Sequence, residues 1–288
     1  DLLDRIAMIR HQLASELGLV MPPVRIRDNM QLPPDRYRLK IRGASVDDGE
    51  VHPELLMAMD SGLATGKLEG IAGLEPAFGL DAIWIDPSLR MRAETQNYTV
   101  VDPTSVIATH LTEVVRRHAD ELLTREEVGN LVEQLKQSAA RLVEEVIPAQ
   151  LKMGELQKVL QALLRESVPI RDLETIVETL GDWISHTRDP DVLVEYVRNA
   201  LRRTICTLHA ETPAEGKARL HVVTMDPAVE DRVNGYIERG AAGTTVSVPP
   251  NLAARRPVIV VSSPTVRAPM RQILHPHLAG VTVLGYNE

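Results

Sequence analysis

From about residue 124 to 205 the chain places its apolar residues at helical spacing and gives no strand signal. Leu156, Val159, Leu160, Leu163 and Leu164 form one stripe, and Ile170, Leu173, Ile176, Val177 and Leu180 form the next. Apolar positions three and four apart define one face of a helix, so this block predicts a helical module of its own. The stretches on either side alternate instead. Tyr37, Leu39 and Ile41 interleave with charged residues, as a half-buried strand requires. Leu220–Met225, Val258–Ser262 and Val281–Gly285 read as strands with helices between them. A block of helical period set between blocks of strand period does not share one sheet with them. At 288 residues the chain also exceeds one small core. The expected architecture is therefore mixed, α/β and α+β, in several subdomains.

The boundaries follow the changes of period. A first helix carries Leu2, Leu3, Ile6, Ile9, Leu13 and Leu17, and Gly18 stops it. Strands are expected at Val24–Arg27 and Arg36–Arg42. A first α/β subdomain is expected to take 1–53 together with 103–122. Inserted in it, 54–102 reads as a small α+β subdomain: a strand at Leu55–Met59, a Gly- and Ala-rich loop to Leu80, a strand at Asp81–Ile85, a helix opened by Asp86-Pro87, and a strand at Tyr98–Val101. Asp102-Pro103 repeats the helix-start chemistry, an N-cap acid followed by proline at the first helical position. Thr124 and Glu127 form a capping-box pattern that opens the helical subdomain, 123–205. The remainder, 206–288, reads as a C-terminal α/β subdomain, with helices opened by Asp226-Pro227 and spanning Pro264–Leu274. Gly240–Pro250 is read there as a flexible connection. Gly and Pro at the joints predict hinge motion between this last subdomain and the rest.

Composition narrows the function. A net charge of −8 argues against nucleic acid as a partner, since phosphate neutralisation needs a basic face. Arg116-Arg117 and Arg202-Arg203 are short and read as solvated helix faces. Cys206 is the single cysteine, which excludes an internal disulfide and points to a reducing compartment; it reads as a small buried hydrophobe. No apolar run approaches the ~18 residues of a membrane helix, and no secretory leader opens the chain. A chain opening on Asp1 rather than Met is expected to be part of a longer protein.

Catalytic motifs are missing. The nine histidines form no metal-ligand pattern, and His275-Pro276-His277 reads as a surface turn. Gly62–Lys67 superficially resembles a phosphate loop, but it is one residue short between its glycines and has Leu68 where a magnesium-binding hydroxyl belongs. Neither G-x-G-x-x-G nor G-x-S-x-G occurs. Glu126-Glu127 and Glu144-Glu145 read as solvated helix faces. No cofactor and no metal is expected. The unusual stretch is Glu75-Pro-Ala-Phe-Gly-Leu-Asp-Ala-Ile-Trp84, which joins the only phenylalanine to one of two tryptophans in a chain with 3% aromatics. Either Phe78 and Trp84 plug a small core, or the loop presents an aromatic anchor to a partner.

Four stretches carry a resemblance: Ile26-Arg-Asp-Asn-Met30, Glu75 to Trp84, Tyr98 through Leu111, and Val168-Pro-Ile-Arg-Asp-Leu-Glu-Thr-Ile176. Together they resemble the FlhA family of type III export-gate proteins, in its flagellar branch. The resemblance implies membrane helices ahead of this region and a location at the cytoplasmic face of the bacterial inner membrane. It implies four subdomains on the plan above and a ninefold homo-oligomeric ring. It further implies a docking platform rather than an enzyme, whose partners are export chaperones with bound substrates and other export components. A hydrophobic dimple between the first two subdomains receives the chaperones in the flagellar branch. Its matching positions are Phe78, Glu75 and Thr109, with Met57, Met59, Val101 and Val106 as lining candidates. Where the family can carry Asp, Glu75 keeps the charge and reaches one methylene further. The alternative is a nucleotide- or small-molecule-binding regulatory enzyme using the C-terminal α/β subdomain. An exposed apolar patch beside Phe78 distinguishes the first reading, and a polar pocket with convergent titratable groups the second.

Overall fold

In the computed structural model the described residues are all but 1, 61, 212–216, 225, 236, 241–242, 247–258, 277 and 279–280. They form two compact units, Asp1–Leu122 and Leu123–Glu288.

The first unit opens with α1 (Leu2–Leu17), which buries Ile6, Ile9, Leu13 and Leu17 on one face. Gly18 ends it at φ +76°, a left-handed conformation that glycine adopts without a Cβ penalty. Val24–Arg27 is not a strand. Pro22 and Pro23 remove two ladder donors just ahead of it, and no neighbouring strand pairs with it. Strand β1 (Arg36–Ile41) pairs antiparallel with β2 (Ala44–Glu50) through a turn in which Arg42 and Gly43 both have positive φ. The register shifts beyond Leu39↔Asp47, leaving Val46 as a bulge. The Ala-Ser-Val-Asp-Asp-Gly-Glu sequence of β2 has little strand propensity, so the pairing imposes the conformation.

Strands β3 (Leu56–Asp60), β4 (Ile71–Leu74), β5 (Asp81–Ile85) and β6 (Tyr98–Val101) form an antiparallel sheet in the order β4-β5-β3-β6. β4 lies inside the stretch expected to be loop; its Ile-Ala-Gly-Leu is too short and too small to show a period. The sheet obeys the two-residue alternation of strands. Met57, Ala82 and Trp84 face one way and pack on Val106 of α3 (Pro103–Arg117). Ala58 and Ile85 face the other way and pack on Ala93 of α2 (Arg90–Thr95), which follows a single turn of tighter helix at Pro87–Leu89. A short α4 (Ala119–Leu122) closes the unit.

In the second unit α5 (Arg125–Ser138), α6 (Ala140–Val146), α7 (Met153–Arg165), α8 (Leu173–Trp183), α9 (Pro190–Ala200) and α10 (Arg202–His209) follow one another without a strand. Their buried residues are those of the sequence stripes, among them Leu156, Leu160, Leu163, Leu164, Ile176, Val177 and Leu180. After them come β7 (Val223–Thr224), α11 (Pro227–Asn234), a hairpin of β8 (Ile237–Gly240) and β9 (Gly243–Val246), then β10 (Ile259–Ser262), α12 (Pro264–Leu274) and β11 (Thr282–Gly285). β7, β10 and β11 are parallel, in the order β11-β10-β7.

Within Leu220–Met225 only Val223 and Thr224 enter the ladder, because β10 offers partners to those two alone; Met225 lies outside the described residues. The stretch read as a flexible connection contains β9, while 241–242 and 247–250 lie outside the described residues, as does Val258. The mixed α and β architecture expected from the sequence is the one the chain adopts.

Candidate functional site

The loop between β4 and β5 is held by backbone and by one acid. Glu75 N–H donates to the Leu80 carbonyl at 2.8 Å, and Gly79 N–H to the Glu75 carbonyl at 2.8 Å. The Glu75 carboxylate, only 3% exposed, accepts from Ala77 N–H at 3.0 Å and Phe78 N–H at 2.8 Å. A buried carboxylate is tolerated where donors satisfy it. The longer glutamate thus curls back on its own loop. Gly79 turns the chain at φ +68°, where a side chain is strained. This ordered loop carries Phe78 outward at 62% exposure, flanked in sequence by exposed Leu74 and Leu80.

The two large aromatics of this stretch therefore separate. Trp84 is core, packed with Met57, Ala82 and Val106 and edge-on to His52 at 5.3 Å. Phe78 is surface. Of the expected lining positions, Met57 and Val106 are closed inside the core at 0% and 2% exposure, so they do not line a surface. The sheet alternation and the stripe of α3 turn both toward the same interior. Met59 and Val101 are half-buried beside them. Thr109 is exposed on α3.

Its neighbour His110 is fully buried. His110 Nδ1 is 2.7 Å from the Tyr37 hydroxyl, and its Nε2 is 3.3 Å from Asp47 Oδ2. The tautomer that serves both has the phenol donating to Nδ1 and Nε2–H facing the carboxylate. Tyr37 lies over Gly49, where an added Cβ would come within 2.5 Å of the ring. Burial raises the Tyr37 phenol well above its ordinary range, and the charges of Glu75, Asp47 and Asp48 add to the effect. Sequence reading passed over this chain of groups. The available signal was a histidine on the apolar stripe of α3, one turn beyond Val106.

In the second unit, the amino end of α12 already holds an acid. Ser263 N–H donates to Glu230 Oε1 at 3.2 Å, and the Tyr286 hydroxyl is 3.4 Å from the same oxygen. That carboxylate stands where a phosphate would bind a helix N-terminus. His275 and Pro276 form an exposed turn, and His277 lies outside the described residues. Among the described residues no group of three or more His, Cys, Asp or Glu is placed to hold a metal ion, and no helix is long and apolar enough to cross a membrane.

Solved structures place this fold in a defined class. The Chlamydia pneumoniae CdsV protein superposes with a TM-score of 0.85 at 24% identity, over 99% of this chain and 86% of that one. The nonameric cytosolic domain of EscV from the type III secretion system superposes at 0.72 and 21% identity, over 99% of this chain and 88% of that one. The chain therefore shares its fold with CdsV and with the EscV cytosolic domain. A family model matches residues 1–288, and the chain belongs to the FHIPEP family. Flagellar biosynthesis protein FlhA of Bacillus subtilis (strain 168) is 42% identical over 304 residues, covering 100% of this chain and 44% of that protein. FlhA of Escherichia coli (strain K12) is 42% identical over 230 residues, 80% of this chain and 33% of that protein. The chain thus spans less than half the length of these relatives.

Proposed function

We propose that this chain is the cytoplasmic docking platform of a flagellar type III export gate, and that the Phe78 loop receives export chaperones carrying their substrates. The observation that carries the reading is Phe78 itself: a large aromatic, 62% exposed, on a loop ordered by the buried Glu75 carboxylate. Aromatic anchors held on rigid loops dominate interface energies because little entropy is lost when they dock. Thr109 is the second contact of this reading, with Met59 and Val101 at its edge. Family membership supports a role in flagellar protein export at the inner membrane. Nonameric relatives such as EPEC SctV-C, and the solved complex of CdsV with CdsO, support a ring and contacts with other export components. In this reading the platform works by binding and ordering partners, without catalysis. Glu230 at the amino end of α12 weighs against a nucleotide site in the last sheet.

The test is one variant with two readouts. Phe78→Ala should leave the melting temperature within a few degrees, because the ring is mostly in water. It should weaken binding of the organism's own purified chaperone–substrate complexes by about 2 kcal/mol or more. Thr109→Met enlarges the second proposed contact and should weaken binding while the chain stays folded. Unchanged affinity for every flagellar chaperone in both folded variants refutes the reading.

A further inference from the structure

The two largest side chains buried below 2% exposure anywhere in the described chain are arginines, Arg198 on α9 and Arg267 on α12. Both belong to one cluster in the second unit. Arg198 meets Glu288 twice, Nε to Oε1 and Nη2 to Oε2, each at 2.7 Å. Glu166, at the carboxyl end of α7, accepts from Arg198 Nη1 at 2.9 Å and from Arg267 Nη1 at 2.6 Å. Glu195 on α9 accepts from Arg267 Nε at 2.8 Å and Nη2 at 2.5 Å. Arg271, one turn along α12, lies 3.9 Å from Glu166 and donates to the Arg165 carbonyl at 2.7 Å. The Cys206 thiol, half-buried rather than fully buried, reaches the Glu288 carbonyl at 3.3 Å. Three arginines thus face three glutamates, so the cluster is neutral as a whole.

Its placement matters more than its size. α12 has two faces. Val266, Met270 and Leu274 pack with Val281 and Val283 into an apolar core, joined by Val233, Val260, Ile273 and Leu278. Every residue of that core comes from the segment after α10. The other face, Arg267 and Arg271, points to α7 and α9. The C-terminal segment therefore has an apolar core built from its own described residues, and α12 reaches α7 and α9 through Arg267 and Arg271. An apolar joint tolerates a small gap at modest cost, whereas a buried ion cluster that loses one member leaves its partners unpaired in a poor solvent for charge.

We propose that this cluster is a latch: Glu166 clasps α9 to α12, and neutralising it frees the C-terminal α/β segment to move off the helices as one body with its own core intact. The charged groups around Glu166 are Arg198 and Glu195 from α9 and Arg267 and Arg271 from α12; Glu288 and, from α10, His209 stand beside Arg198. Burial opposes the Glu166 charge, but Arg267, Arg198 and Arg271 outweigh it and hold its carboxyl below the usual range. Burial, helped by Arg198, holds His209 below its usual range, against the pull of Glu288. Burial pushes Glu195 up despite Arg267, so its protonation works in the opposite sense. For Glu166 the stabilisation is full above the ordinary carboxylate range, about pH 4.3, and is lost as pH falls through the lower folded value. For His209 the loss begins as pH falls below the ordinary imidazole value, about 6.5. Acid opens the latch.

Amide exchange on the full 288-residue chain tests this. In Glu166→Gln, peptides from β10, α12 and β11 should exchange together, about tenfold faster or more, while α5, α7 and α8 keep their protection. A Glu166→Gln chain in which helices and C-terminal segment lose protection together, or in which nothing changes, overturns the latch. If that variant does not fold, the unaltered chain answers on a pH series carried from 7 down to about 2.5, through the lowered Glu166 value. C-terminal peptides opening before the helices support the latch, and a single joint transition refutes it. Lys217→Gln, outside the cluster, should behave as the parent.

Discussion

Phe78 and Trp84 lie on one short stretch and end in opposite environments, one mostly in water and one in the core. At the residue scale the difference comes from backbone geometry: Trp84 sits in the pleat of β5 and Phe78 on a loop that Glu75 closes. The Asp47–His110–Tyr37 chain is the other residue-scale feature. His110→Leu keeps volume but strands the Tyr37 hydroxyl and removes the neighbour of Asp47, and should cost about 2–3 kcal/mol of stability. His110→Gln, which can accept from the phenol and donate to the carboxylate, should recover much of that loss in urea unfolding. Gly49→Ala forces the Tyr37 ring aside and should cost about 1–3 kcal/mol by the same measurement. Because the Tyr37 phenol is raised, its contribution is full below the ordinary phenol value near pH 10 and falls away above it. Tyr37→Phe should flatten the alkaline fall in melting temperature.

At the scale of elements, α3 joins sequence signal to packing most directly. Asp102 caps it, accepting from Ser105 N–H at 2.9 Å and Ser105 Oγ–H at 2.6 Å, with Arg5 of α1 at 3.2 Å. Burial works against the Asp102 charge, but these partners outweigh it and hold the carboxyl below its usual range. Asp102→Ala should cost about 1–2 kcal/mol at neutral pH, little of it from the half-exposed ion pair. The penalty should shrink as pH falls from about 3.9 through the lower folded value, where the parent loses the same charge. Thermal melts at pH 7 and pH 3 check both statements. A penalty independent of pH would mean that the cap acts through shape alone.

At the scale of the molecule, each unit has an interior of its own: Met57, Trp84 and Val106 in one, and the helical stripes with the C-terminal core in the other. Fragments 1–122 and 123–288 should therefore each give a cooperative melt when expressed alone, measured by circular dichroism. A fragment that binds dyes for exposed apolar surface and melts without a transition would refute its independence. In sedimentation, the chain should run as a monomer or weak oligomer at micromolar concentration, because in the proposed full-length protein the membrane part raises local concentration as a tether does. A stable nonamer of this chain alone would count against that.

The helices were legible because a helix announces itself locally. The stripes of α7 and α8, the Asp-Pro starts of α3, α9 and α11, and the Gly18 stop depend on spacing and capping within a few residues. The stretch from Glu75 to Trp84 also stood out by composition alone. Tertiary structure decided what depends on a partner distant in the chain. β2 and β4 are strands because β1 and β5 pair with them, and Val24–Arg27 is not one because nothing does. Met57 and Val106 became core, and Phe78 surface, only when β3, β5 and α3 closed on one another. Arg198 and Arg267 look in sequence like ordinary solvated charges on helices. They are buried because Glu166, Glu195 and Glu288 arrive from elements up to 101 residues away, and a charge leaves water only where its counter-charges are already placed.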